Sequence, residues 1–115
     1  MEIAERTIGD VTILDLNGRL VAGDGDDELR EAVDRLVQTG CMKLLLNLKD
    51  VPYIDSGGLG VLVSKYVSMS RRGGRLKLSN LAPRAAKVFQ ITKLLTIFET
   101  FSSEADAIES FAREA

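Results

Sequence analysis

The sequence predicts an α/β fold with a small mixed sheet, part of it parallel, and about four helices. Two observations carry that expectation. Short runs of strand character alternate with longer stretches whose apolar residues recur at helical spacing. Strands separated by helices require crossovers, and crossovers place neighbouring strands parallel.

The elements follow in order. "VTILDL" (11–16) has strand character, and "NGRLVAGDGDD" supplies turn and loop residues after it. Leu29, Ala32, Val33, Leu36 and Val37 then form one stripe of a helix, with Asp26 or Asp27 suited to cap its first turn and Gly40 to end it. "KLLLNL" (43–48) suits a strand buried on both faces. A second stripe runs through Leu59, Leu62, Val63, Tyr66 and Met69 and closes at "RRGG" (71–74), where cations meet the negative end of the helix dipole. "RLKLS" (75–79) alternates like a strand. Pro83 suits the first turn of a third helix, with Ala86, Val88 and Phe89 among its candidate core residues. A last helix starts at the capping pair Ser103 and Asp106 and turns Ile108, Phe111 and Ala112 to one side. With a strand preceding the first of these, the order is strand, strand, helix, strand, helix, strand, helix, helix.

Composition narrows the function. With 115 residues the chain is read as one domain, residues 1–115, and 45% hydrophobic with 28% charged residues marks an ordinary globule. Its 15 Lys and Arg against 17 Asp and Glu leave a net charge of −2, which argues against direct nucleic-acid binding and against attachment to anionic lipid. No basic, apolar leader and no stretch of about 18 apolar residues is visible. The single Cys41 cannot form an internal disulfide and reads as a partly buried packing residue. The expected location is the cytoplasm, with no membrane insertion.

The candidate site is "YIDSGGLG" (53–60), where a carboxylate, a hydroxyl and three glycines precede an apolar run. Ser56 stands where a helix N-cap is expected. Four readings are open: an ordinary capped helix start, a phosphate cradle, a nucleophile and a modification site. The chain has no His, so a Ser-His-Asp triad is impossible, and nothing in the sequence brings Lys49 or Lys65 to Ser56. "GGLGVL" lacks the third glycine of a dinucleotide motif, and no phosphate-loop motif occurs. "DGDDE" (24–28) lacks calcium-loop spacing, because Arg35 occupies the twelfth position from Asp24. No cofactor, metal site or catalytic residue is expected. In an open parallel sheet the strand-to-helix loops gather at one edge, so that Asp24, Ser56 and Asn80 approach a common surface if the strand before the first loop joins the parallel set.

"NLKDVPYIDSGGLGVLV" followed by "GGRLKLSNLAP" resembles the STAS-domain anti-sigma-factor antagonists, and the similarity extends from "TILDLNGRLVAGD" to "LLTIFETFSSEADAIESF". The signature is carried by Asp55 to Gly60. The resemblance implies a STAS-like single domain, a small sheet with helices packed mainly on one face, and no enzymatic activity. It implies that Ser56 is the phosphoacceptor for an anti-sigma factor with serine kinase activity. The unmodified chain binds that partner and releases the sigma factor, phosphorylation weakens the binding, and a serine phosphatase restores it. Asp24, Asp55, Gly57, Gly58, Leu59 and Val61 would form or shape the docking surface. Val61 falls off the apolar stripe and is expected as an exposed apolar contact. Two residues depart from the family pattern: Gly57 stands where a second hydroxyl is common, and Asn47 where an aspartate is often found near the site. The alternatives are a constitutive scaffold subunit of a signalling or lipid-transport complex, in which Ser56 is never modified, and a small-molecule or nucleotide sensor using the same helix start.

Overall fold

The apolar run at 43–48 becomes the central strand of a five-stranded sheet. In the computed structural model, which describes residues 1–114, the strands are β1 (Glu2–Ile8), β2 (Val11–Asn17), β3 (Lys43–Asp50), β4 (Arg75–Ser79) and β5 (Thr100–Phe101). They lie in sequence order across the sheet. β1 and β2 form an antiparallel hairpin, while the β2–β3, β3–β4 and β4–β5 pairs are parallel, as the intervening helices require. The two-residue β5 is an addition to the sequence-derived order, and a 3₁₀ turn at Leu94–Thr96 precedes it.

Side-chain alternation along the strands divides the core. Leu14, Leu16, Leu44, Leu46, Leu76 and Leu78 point to the face covered by α1 (Asp26–Gln38), α2 (Ser56–Arg71) and α3 (Pro83–Ile91). Val11, Ile13 and Leu45 point the other way and meet Ala107 and Phe111 of α4 (Glu104–Ala112). Three helices thus share one face, and the fourth seals the opposite one. Leu44, Leu45, Leu46 and Leu48 are all fully buried, as a strand covered on both sides demands. No helix is long and apolar enough to cross a membrane among the described residues.

Helix starts follow the local chemistry with one exception. Pro83 occupies the first turn of α3, and the Ser103 hydroxyl accepts a hydrogen bond from Asp106 N–H at α4. At α1 the cap position belongs to Gly25, in a left-handed conformation (φ 95°), and not to Asp26 or Asp27. Asp26 is the first helical residue, and its carboxylate turns back to accept from Gly23 N–H (3.2 Å) and Asp27 N–H (2.9 Å). The expected core residue Ala112 is exposed, and Ser110 is buried in α4 instead.

Ser110 is buried because of a cation. Lys77, between two buried leucines of β4, points to the α4 face with 1% of its surface exposed. Its ammonium donates to Ser110 Oγ (2.6 Å) and Glu114 Oε1 (2.9 Å) and lies 4.6 Å from the Phe111 ring centre. Glu114 is partly in water, so removing the lysine strands no buried carboxylate, and Ser110 keeps its bond to the Ala107 carbonyl. The effect of substitution therefore rests on volume. Lys77→Met should change stability by no more than about 1 kcal/mol, whereas Lys77→Ala leaves a cavity beneath α4 and should cost about 3 kcal/mol. Chemical denaturation of the two variants separates these outcomes.

Candidate functional site

The site forms because the chain after β2 runs on beside the segment after β3. The β2–β3 register shifts between Asp15 and Asn17, and pairing then continues outside the regular ladder. Gly18 N–H donates to Asp50 O, Leu20 N–H to Tyr53 O (3.0 Å), and Asp55 N–H to Leu20 O (3.3 Å). Leu20 and Ile54 form a parallel bridge, and both side chains are buried. The 53–56 turn is thereby stitched to the β2–α1 loop before α2 begins.

Asp55 completes the stitch. It is the N-cap of α2, in extended conformation, and its Oδ1 accepts from Gly58 N–H at 3.0 Å. The same carboxylate accepts from Ala22 N–H at 3.1 and 3.2 Å, across 33 residues of sequence. This corrects the expectation that Ser56 is the cap: Asp55 takes that role, and Ser56 becomes the first helical residue, exposed and without a side-chain hydrogen bond among the described residues. Asp and Ser are equally good caps, and here the carboxylate holds both the helix and the Ala22 loop, with Oδ1 accepting from Gly58 and Ala22 and Oδ2 from Ala22 as well.

Two glycines admit the loop. A Cβ on Gly58 would stand 2.9 Å from the Leu20 carbonyl carbon, with the oxygen nearer still, and one on Gly57 would stand 2.6 Å from Ala22 Cβ. Gly57, which stands where the family pattern commonly has a second hydroxyl, leaves room for Ala22. Gly60 meets nothing within 4 Å.

The backbone N–H of Gly58, with those of Ala22 and Gly57, holds the Asp55 carboxyl below its ordinary 3.8, against a smaller opposing effect of desolvation. A depressed folded-state value means that the ionised carboxylate stabilises the fold above the unfolded value. That stabilisation is lost as pH falls through the folded one. Asp55→Asn should therefore lower the urea midpoint at pH 7, and its deficit relative to wild type should shrink as pH falls below about 4. A deficit that stays constant down to pH 2.5 would show that charge is not involved.

The remaining candidates divide into two groups. Asp24 is exposed and closes a tight turn with Val21 through reciprocal backbone bonds of 3.0 Å, and at the tip of that turn Ala22 donates to Asp55. Gly57 is half-buried, and Gly58 and Leu59 are buried. Val61, expected as an exposed apolar contact, is 3% exposed and belongs to the core. It turns inward because α2 packs on the sheet with α1 at its flank, burying an arc wider than the stripe read from the sequence. Gly58, Leu59 and Val61 thus shape the site from beneath and do not present a surface.

Among the described residues no hydrogen bond ties Asn80 to the group. It adopts φ 58° and faces the last strand, bonding Phe101 O through its N–H and Ser102 O through its side chain. Asn47 also lies elsewhere than expected: it donates to Asp15 on the sheet face opposite α2, where Asp15 is held below its ordinary value mainly by Arg6. An amide at 47 supplies a donor to that carboxylate, where a second carboxylate would repel it. Lys65 is spent on Asp34 of α1 (2.6 Å), and Lys49 makes no bond to Ser56. Sequence reasoning missed two exposed residues beside the turn, Tyr53 and Arg19, whose guanidinium lies 5.9 Å from the Tyr53 ring centre. An aromatic residue directly before the Ile-Asp-Ser run was the available signal.

The arrangement presents an unencumbered hydroxyl at the positive end of a sixteen-residue helix, on a loop pair fixed by backbone bonds. Among the described residues no side chain is hydrogen-bonded to that hydroxyl to act as its base.

The family model of the STAS domain matches residues 2–107. An anti-sigma-B factor antagonist of Bacillus subtilis (strain 168) is 44% identical over 71 residues, covering 62% of this chain and 64% of that protein. The anti-sigma-B factor antagonist of Listeria monocytogenes is 32% identical over 110 residues, covering 92% of this chain and 91% of the other. The unphosphorylated form of the Bacillus anti-sigma factor antagonist SpoIIAA superposes with a TM-score of 0.80 over 96% of each chain at 20% identity, a likeness of fold. These relatives are named for antagonising another protein and not for catalysis.

Proposed function

This chain belongs to the STAS domain family, and we propose that within it the protein is an anti-sigma-factor antagonist switched by phosphorylation of Ser56. Unmodified, it binds an anti-sigma factor with serine kinase activity and so frees the sigma factor. The observation that carries this reading is the state of Ser56: exposed, with no side-chain hydrogen bond among the described residues, and first in a helix whose cap is supplied by its neighbour. Because Asp55 does the capping, modifying Ser56 removes no bond that holds the fold.

The chain contributes the acceptor and the platform, and the partner contributes the catalyst. Ser56 Oγ attacks the γ-phosphorus of the kinase-bound ATP, the bond to ADP breaks, and the hydroxyl proton passes to a base of the kinase. The product carries about −1.5 to −2 charges at neutral pH. The dipole of α2 and its first-turn N–H groups favour that charge, so the free protein tolerates it. The docked partner, shaped for a neutral hydroxyl, does not. A serine phosphatase hydrolyses the ester and resets the switch. Asp24, Gly57 and the rim around Ser56 meet the partner, with Gly58, Leu59 and Val61 as their support. Such a switch works in the cytoplasm without touching nucleic acid.

Incubation with ATP and candidate anti-sigma kinases tests the reading, with the phosphate located by mass spectrometry. One phosphate is expected on Ser56 and none on the Ser56→Ala variant. Binding to the kinase with Ser56 left unmodified would favour the scaffold role instead.

A further inference from the structure

We propose that Arg19 and Tyr53 form the contact by which this chain selects its kinase, taking a carboxylate that the partner presents beside its catalytic cleft. The proposal rests on the Ser56 reading and adds the partner's chemistry to it.

Arg19, Arg71, Arg72 and Arg84 make no ion pair among the described residues, whereas Arg6, Arg30, Arg35, Arg75 and Arg113 do. Arg71 and Arg72 stand at the far end of α2 from Ser56, and Arg84 lies in the first turn of α3. Arg19 differs in position. The next peptide, at Leu20, is bonded to both Tyr53 O and Asp55 N–H, so its backbone belongs to the same fixed piece as the Ser56 turn.

Its side chain is held as well. The guanidinium rests over the Tyr53 ring at 5.9 Å, and Tyr53 is 44% exposed. An aromatic shelf restricts the long arginine before any partner arrives, which reduces the ordering cost of binding. Among the described residues the guanidinium's N–H donors have no acceptor, leaving a fork suited to a carboxylate. Tyr and Arg are also the residue types that most often dominate binding energy at interfaces.

The surrounding charge argues for an acidic occupant. Asp55 is engaged by Ala22 and Gly58 N–H groups and does not compete for Arg19. Exposed Asp24 stands on the same loop and carries the opposite sign. A partner presenting a carboxylate to Arg19 and a cation to Asp24 can dock in one orientation only, which brings its cleft over Ser56.

The test uses the kinase that phosphorylates Ser56, with binding measured for wild type, Arg19→Gln, Arg19→Glu, Tyr53→Ala and Ser56→Asp. Arg19→Gln should weaken binding about tenfold and Arg19→Glu more, with thermal stability nearly unchanged, because Arg19 is exposed and makes no ion pair among the described residues. Tyr53→Ala should weaken it less. Converting the contacted kinase carboxylate to lysine should restore binding to Arg19→Glu and weaken binding to wild type. If Arg19→Glu binds like wild type while Ser56→Asp binds poorly, the selective contact is refuted and the switch stands. If Ser56→Asp binds like wild type while Arg19→Glu binds poorly, the contact stands and the switch does not.

Discussion

Replacing Gly58 with alanine is expected to lower the unfolding free energy by about 3 kcal/mol or more, while the same change two residues later, at Gly60, should leave it unchanged or raise it slightly. The added methyl at 58 would overlap the Leu20 carbonyl, which is backbone and cannot rotate away. Relief requires moving the whole Leu20–Ala22 segment, which would pull on the Leu20–Tyr53 and Ala22–Asp55 hydrogen bonds. Against a total of about 5–15 kcal/mol for a domain, that loss is large. At Gly60 the methyl meets open space and favours helix over coil. Urea denaturation of the two variants should shift in opposite directions or show one shift only. A destabilised Gly60→Ala variant, or an unaffected Gly58→Ala variant, would contradict the packing described here.

The second large effect is on binding. On the proposed function, Ser56→Asp should bind the anti-sigma kinase roughly 30- to 150-fold more weakly, corresponding to about 2 to 3 kcal/mol, while Ser56→Ala should bind as wild type and resist switching. Both variants should fold, because the Ser56 side chain makes no hydrogen bond among the described residues and Asp55 carries the cap. Aspartate at the first helical position is also favoured by the helix dipole. A loss of affinity therefore reports on the complex and not on the free chain. Titration calorimetry of wild type, both variants and the phosphorylated protein measures it. Equal affinity for all of them would remove the switch.

Much of this organisation is legible in the sequence, for reasons that also explain what is not. β2, β3 and β4 and the helix stripes are visible because each buries a side, and burial imposes a period. β1 is poorly marked because it lies at the sheet edge with most of its residues exposed, and two-residue β5 is too short to show any period. Lys77 reads as a surface residue because alternation in β4 cannot reveal that α4 returns to cover that face. Val61 is misjudged by the same kind of ignorance, since the width of a buried arc depends on α1 as a neighbour.

At the site, the Asp-Ser-Gly-Gly run identifies the helix start but cannot choose between two adjacent capping residues. That choice depends on Ala22, brought in by a register shift that no local pattern announces. Arg19 escapes notice because its meaning comes only from Tyr53.

The sheet also has two open rims, and each discourages growth. β5 offers too few unpaired amides to recruit a foreign strand, and β1 carries Glu2, Glu5 and Arg6 within its seven residues. A second copy laid against that border would have to desolvate ions, so fibre-like stacking is resisted even in concentrated solution.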